Sequence, residues 1–354
     1  MAISSNERVP LNKDVVLLIK GLVVGKILTL LVIGGVLWWL RPHLWRWSYN
    51  ATPSNQTLTT AVESSFQTVT DVPIGTFNYG GSTAWVPIRV VVDSQIQSTR
   101  PELKLRYLNA DNSAPSSSSG IQMLLDGKLD FAQSSRPLTQ AEEATAQQRG
   151  LSLKQIPVAV DGIAVVVHPS LNISGLTVNQ LQQIYESKIT NWRQVGGPNL
   201  LITPFSEPQQ DSYAVLFAAR KDRQPSFGSN VKFISSPTEA LRQVNRTLGG
   251  IYYASARAVV NQCSVKPIPI GHTSDRLIPP YSEPFVPFQQ CPSQRNQINT
   301  AAFENGTYPL TRNLFVIIKP NQGREQQIGE AYANLLQTVQ GQQAITQAGF
   351  AWLR

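Results

Sequence analysis

Apolar and polar positions divide the chain into three stretches. Val15–Leu40 is apolar apart from Lys20, Lys26, Thr29 and glycines, and its cleanest part, Ile27–Leu40, ends on a Trp pair. Ala51–Thr70 is rich in Ser, Thr, Asn and Gln and reads as a linker with a short helix near Leu58–Phe66. After Pro73 strand-like and helix-like runs alternate. The pattern predicts helices at Val86–Gln97, Ile121–Asp126, Thr139–Arg149, Thr177–Glu186 and Arg324–Gly341. It predicts strands at Leu103–Leu108, Phe131-Ala132, Gly162–Val167 and Phe315–Ile318. Gly162–Val167 has no polar alternation, as expected of a sheet covered on both faces. Such alternation argues an α/β fold with mainly parallel sheets.

The apolar stretch is long enough, at about twenty residues with one tolerated lysine, to span ~30 Å of hydrocarbon as a helix over about 21–40. Charge supports that reading. The net charge is +8, and residues 1–50 hold six basic and two acidic residues, half of the excess in a seventh of the length. Basic residues mostly precede the apolar core, and Trp38, Trp39, Trp45 and Trp47 suit an aromatic belt on its far side. We therefore expect a cytoplasmic tail and transmembrane signal anchor in 1–50, then a polar linker in 51–71. A cleavable signal peptide fits less well, because no A-x-A-like site follows. Gly21–Lys26 is one residue short of a phosphate loop and sits inside the apolar stretch.

Composition excludes several classes. No Lys/Arg run follows Arg46, which argues against nucleic acid. The two cysteines and three histidines form no CxxC or HExxH spacing, so no metal site and no cofactor is expected. Cys263 and Cys291 would pair in an oxidising compartment and would be small core residues in cytosol. No G-x-S-x-G is present, so a serine hydrolase has no nucleophile in its usual setting.

Three segments place hydroxyls and backbone N–H groups where a helix starts: Tyr79–Thr83, Asn112–Gly120 and Phe131–Thr139. Free donors and the helix dipole favour an anion there. Each is also an ordinary helix cap when taken alone. Arg136, beside Ser134 and Ser135, could add a bidentate charged contact or serve as an ion-pair partner.

Together these segments resemble the substrate-binding proteins of bacterial phosphate ABC transporters, which have a type II periplasmic-binding-protein fold. The resemblance runs from about Val72 to Arg354. It is carried by Asp130–Thr139, Asp161–Val167, Lys188–Trp192 with Gly196–Pro198, Gly249–Tyr253 and Tyr308–Arg312, in that order. It implies two α/β lobes, one from 72–160 plus 311–354 and one from 161–310, with the anion between them. The residues matching the family's phosphate loops are Gly81, Ser82 and Thr83; Ser118, Ser119 and Gly120; and Ser134, Ser135 and Arg136. A disulfide between Cys263 and Cys291 would staple a Pro-rich loop in the second lobe.

The sequence also departs from the family. Ser135 stands where many members have an aspartate that accepts the proton of hydrogen phosphate. The fourth loop, Ser206–Tyr213, has lost its arginine and its Gly-Ser-Gly, and Ser212 is the residue left to replace the threonine. Glu207 and Asp211 there would repel an anion unless protonated or paired with Arg136. The resemblance implies a non-enzymatic, membrane-anchored, extracytoplasmic receptor for inorganic phosphate or a similar oxyanion, working with an ABC permease at a bacterial inner membrane. The altered loop leaves a second reading, a repurposed sensory or interaction module without tight binding.

Overall fold

The computed structural model describes residues 65–111, 113–207, 216–217 and 227–353. The expected membrane span, most of the linker, Asp211 and Ser212 lie outside these residues. Among those described, no helix is long and apolar enough to cross a membrane.

β1 (Gly75–Gly81) passes through a turn at Thr83–Trp85 into α1, which runs as Val86–Ile88, a π-helical turn Arg89–Asp93, and Ser94–Thr99. There follow β2 (Leu103–Tyr107), α2 (Ser117–Leu125), β3 (Phe131–Ser134) and α3 (Gln140–Gln148). The long strand β4 (Lys154–Val167) then leads to β5 (Leu176–Thr177), α4 (Val178–Tyr185), β6 (Thr203–Ser206), β7 (Lys232–Phe233) and α5 (Pro237–Arg246). Next come β8 (Gly250–Ser255), α6 (Ala256–Val259), β9 (Lys266–Ile268), β10 (Ile270–Thr273), β11 (Arg276–Ile278) and α7 (Thr300–Glu304). The chain returns along β12 (Thr311–Ile318) and ends in α8 (Arg324–Gln337) and α9 (Val339–Gln347).

The fold is α/β and two-lobed. Strands run in the order β2-β1-β3-β12-β4-β8-β6-β7, with β9 also on β4. The sheet is mixed rather than mainly parallel. β1 pairs in parallel with β2 and β3, and β6 with β8, but β12 is antiparallel to both β3 and β4. The reason is connectivity. The chain leaves the first lobe along β4 and comes back along β12, so these two strands must run in opposite directions. β4 changes partners midway: Asp161 and Gly162 face Arg312 and Thr311 of β12, and Ile163 faces Ser255 of β8.

Each lobe has its own core. Phe77, Trp85, Val92, Phe131 and Tyr332 pack on one face of the first sheet. Ile121, Leu124, Phe315 and Ile317 cover the other. Alternate residues of β12 therefore enter different clusters, Leu314, Val316 and Ile318 the first and Phe315 and Ile317 the second. This is why its sequence shows no polar period. The second lobe packs around Val165, Tyr185, Trp192 and Tyr252. Cys263 and Cys291 are paired in a disulfide rather than standing as separate core residues.

Several boundaries differ from the sequence pattern. α2 begins at Ser117, not at Ile121, because Ser116 caps it and accepts the Ser119 N–H at 3.0 Å. The expected helix Arg324–Gly341 is two helices. Thr338 ends α8 and caps α9, its hydroxyl accepting the Gly341 N–H at 2.9 Å. β4 starts eight residues before Gly162, because its first half is only partly buried and lacks a continuous apolar run.

Candidate anion site

A cleft of about 480 Å³ is lined from both lobes. The first lobe contributes Ser82, Thr83, Ala114, Pro115 and Ser135. The second contributes Glu207, Ser235, Tyr253, Ser255 and Arg257, and Arg312 comes from the return strand.

Serine hydroxyls tie the three first-lobe loops together. The Ser82 Oγ accepts the Ala84 N–H at 3.3 Å as a cap and donates to Ser135 Oγ at 2.9 Å. The Ser135 N–H donates to Ser117 Oγ at 3.1 Å, and the hydroxyls of Ser117 and Ser135 lie 3.3 Å apart. All three serines are buried. Behind them, Arg89 donates to the Ser82 carbonyl at 3.3 Å and to Gln133 Oε1 at 3.0 Å, with its guanidinium 4.0 Å above the Tyr107 ring. The loop carrying Ser82 is thus fixed from its backbone side and presents Thr83 and a helix start to the cleft.

The other residues expected from sequence have different surroundings. Ser118, Ser119, Gly81, Gly120, Ser134 and Arg136 are not among the residues lining the cleft. Arg136 forms a bidentate pair with Glu142, at 2.9 and 2.7 Å, and donates to Ser118 Oγ at 2.7 Å. Its side chain is only 5% exposed. Glu142 also receives the Thr139 N–H at 2.9 Å as part of the α3 cap, so one carboxylate serves both the helix start and the cation. Ser119 completes the α2 capping box with Ser116. Ser134 donates to the Arg136 carbonyl at 2.6 Å, and its own carbonyl accepts the Trp85 indole N–H at 2.9 Å. Gly81 and Gly120 meet face to face, where a Cβ on Gly120 would lie 2.5 Å from Gly81 Cα.

Sequence reasoning missed the guanidiniums on the cleft wall. Arg257 is exposed on the short helix α6. Arg312 reaches Asp161 Oδ2 through Nε at 3.0 Å and through a terminal nitrogen at 2.9 Å. Ser255 Oγ donates to the other oxygen of Asp161 at 2.6 Å. Asp161 is 1% exposed, and burial pushes its carboxyl up while Arg312 pulls it down. The two are neighbours across β4 and β12, 151 residues apart in sequence. The only signal available in the chain was that Asp161 and Arg312 each sit in a matched segment. Glu207, also on the cleft lining, accepts the Tyr252 hydroxyl at 2.7 Å through Oε1. Burial, and then Glu207, raise the Tyr252 phenol well above its ordinary range, so it stays a donor.

Chemically, the cleft gathers hydroxyls, the turn that opens α1 and two guanidiniums around one space, with the Glu207 carboxylate also on its lining. Residues 68–338 match a family model described as a PBP superfamily domain. In sequence the chain is 24% identical over 255 residues to Protein SphX of Synechococcus elongatus, covering 69% of this chain and 68% of that one. It is 20% identical over 271 residues to the phosphate-binding protein PstS of Staphylococcus epidermidis, 75% of each. In structure it is similar to an ABC-type phosphate transport receptor from Vibrio cholerae, with TM-score 0.58, 23% identity, and 78% of this chain covering 100% of that one. It is also similar to PstS from Borrelia burgdorferi, with TM-score 0.52, 19% identity, and 79% and 99% covered. At these identities the structural likeness is one of fold.

Proposed function

Because the chain belongs to the family of PBP superfamily domains, we propose that it is the extracytoplasmic phosphate receptor of an ABC uptake system. The observation that carries this is the convergence of Ser82, Thr83 and Ser135 from one lobe with Tyr253, Ser255 and Arg312 around one cleft. The Staphylococcus epidermidis relative is a phosphate-binding protein, and a tetrahedral oxyanion matches donors arriving from several directions. β4 and β12 connect the sheets of the two lobes, so closure about them would bury the anion and present a new face to a permease. The lobe limits we assign are 72–160 with 311–354, and 161–310. The apolar stretch in 1–50 would hold the domain at the outer face of the inner membrane, and the disulfide suits that oxidising side. Binding, not bond chemistry, is the activity: Ser82 hydrogen-bonds to Ser135 and Ser135 to Ser117, an arrangement that supplies no general base.

Titrating the full chain in detergent with phosphate by calorimetry tests this. We expect a Kd in the micromolar range or tighter, about −8 kcal/mol. No heat up to millimolar phosphate, from a folded sample, would overturn the receptor reading and favour the repurposed module that the altered fourth loop suggests.

Glu207 gives the cleft a basis for selectivity. Its Oε2 has no hydrogen-bond partner among the described residues, so it can accept the P–OH of hydrogen phosphate. Sulfate has no such proton and would meet only repulsion. Glu207→Gln is expected to narrow the phosphate-to-sulfate affinity ratio about tenfold. An unchanged ratio in competition titrations would remove Glu207 from this role.

A further inference from the structure

We infer that Arg312 is the charged contact of the cleft anion, and that Asp161 and Ser255 hold it for that purpose. The inference rests on the phosphate reading and names a residue for it outside the anion loops.

The geometry uses only one edge of the guanidinium. Nε and one terminal nitrogen face Asp161 Oδ2. The second terminal nitrogen, Nη1, has no hydrogen bond among the described residues, while Arg312 lines the cleft and its side chain is 17% exposed. A guanidinium has five N–H donors in a fixed plane, so an edge held by Asp161 sets the direction of the rest. Ser255 fills the other oxygen of Asp161, so that carboxylate is not left to rotate. An arginine fixed in this way loses little further freedom when an anion arrives.

The other cations are less suited. Arg136 is paired with Glu142 away from the cleft lining. Arg257 is exposed and has no hydrogen bond to a described residue, so an anion would have to immobilise it. Arg312 also sits where β4 passes from β12 to β8. An anion on Nη1 therefore lies at the pivot between Ser82 and Ser135 of one lobe and Tyr253 and Ser255 of the other. Charge at that point attracts the anion in the open form and needs no closure to be in place.

The bland alternative is that Arg312 only neutralises a buried aspartate. A double variant separates the two. Arg312→Gln alone is expected to weaken phosphate binding about 10- to 100-fold, the worth of a charged hydrogen bond, but it also strands Asp161. Asp161→Asn with Arg312→Gln removes both charges and leaves none unpaired in the interior. We expect the double variant to melt closer to the parent than Arg312→Gln does, yet to keep the 10- to 100-fold loss. Arg312→Lys should recover part of the affinity, since it keeps the charge and loses the fork. Removing Arg312 should also flatten the fall of affinity with ionic strength. Ser255→Ala, which frees Asp161 Oδ1 and removes one cleft hydroxyl but no charge, should weaken binding a few-fold with the salt dependence unchanged. A double variant that binds phosphate like the parent overturns the inference and leaves the receptor reading standing. A parent chain that binds no phosphate overturns both.

Discussion

Gly81→Ala is expected to abolish measurable phosphate binding and to lower the unfolding free energy by about 3–5 kcal/mol. Gly81 closes β1 with φ +128°, and a Cβ there would sit 2.2 Å from the Gln133 carbonyl oxygen. Both the backbone conformation and the contact disfavour any side chain. The clash cannot be relieved by rotating a flexible group, because the atom met is backbone. That same carbonyl accepts the Ser82 N–H at 2.8 Å. Relief requires the end of β1 to part from β3, which carries Ser82 away from Ser135. On the other side, Gly120 of α2 packs against Gly81, so the helix start must move as well. Gly127→Ala is the control. It also has positive φ, at +72°, but nothing lies within 4 Å of its Cβ, so the expected loss is about 1 kcal/mol. Thermal melts and phosphate titrations of both variants check the expectation. A Gly81→Ala chain that melts with the parent and binds phosphate would show that the loop contacts do not require this close approach.

Gly81 shows how part of the site was legible and in what sense. The glycine pair before Ser82 was readable as a tight strand-to-helix turn. Its role is to let two loops meet, and that needs the packing partner Gly120, thirty-nine residues on. The serine run 116–119 was readable as donors near a helix start. Which serine meets the third loop depends on helix phase. Once Ser116 caps α2, Ser117 is the one that reaches Ser135, and Ser118 and Ser119 are left to Arg136 and the capping box. Arg136 was readable as a cation at an anion loop, and its partner was six residues away in the capping box Thr139/Glu142. Sequence reasoning looks for that partner in Glu207 and Asp211 of the fourth loop and does not weigh Glu142. Arg312 and Asp161 were beyond local reasoning, because only the antiparallel return of β12 along β4 makes them neighbours. The alternating elements gave the α/β class. They gave parallel pairing too generally, since local pattern does not say which strands run back between lobes.

The network behind the Ser82 loop carries the last expectation, a stability that falls as pH rises through the acid range. Asp93 is 5% exposed on the π-helical turn of α1. It accepts the Tyr79 hydroxyl at 2.5 Å and the Tyr332 hydroxyl at 2.7 Å. Tyr332 in turn receives Gln133 Nε2 at 3.0 Å, and Gln133 is the residue that Arg89 grips beside Ser82. Burial dominates over these donors and over nearby Arg89, and raises the Asp93 carboxyl from its ordinary 3.8 to about 6. The folded chain therefore binds this proton more tightly than the unfolded chain. Stability from Asp93 is full below pH ~4, declines between ~4 and ~6, and is absent above, a span of about 3 kcal/mol. Most paired carboxylates act in the opposite sense, so the parent curve alone would mix the two. The comparison with Asp93→Asn isolates the group. Asparagine keeps an acceptor for one tyrosine and offers N–H to the other, without a charge to bury. Urea unfolding at pH 4, 5, 6 and 7 should show Asp93→Asn gaining on the parent by about 3 kcal/mol across that window. Parallel curves would mean that the two tyrosine donors and Arg89 offset burial in full, and that Asp93 is ionised in the fold throughout.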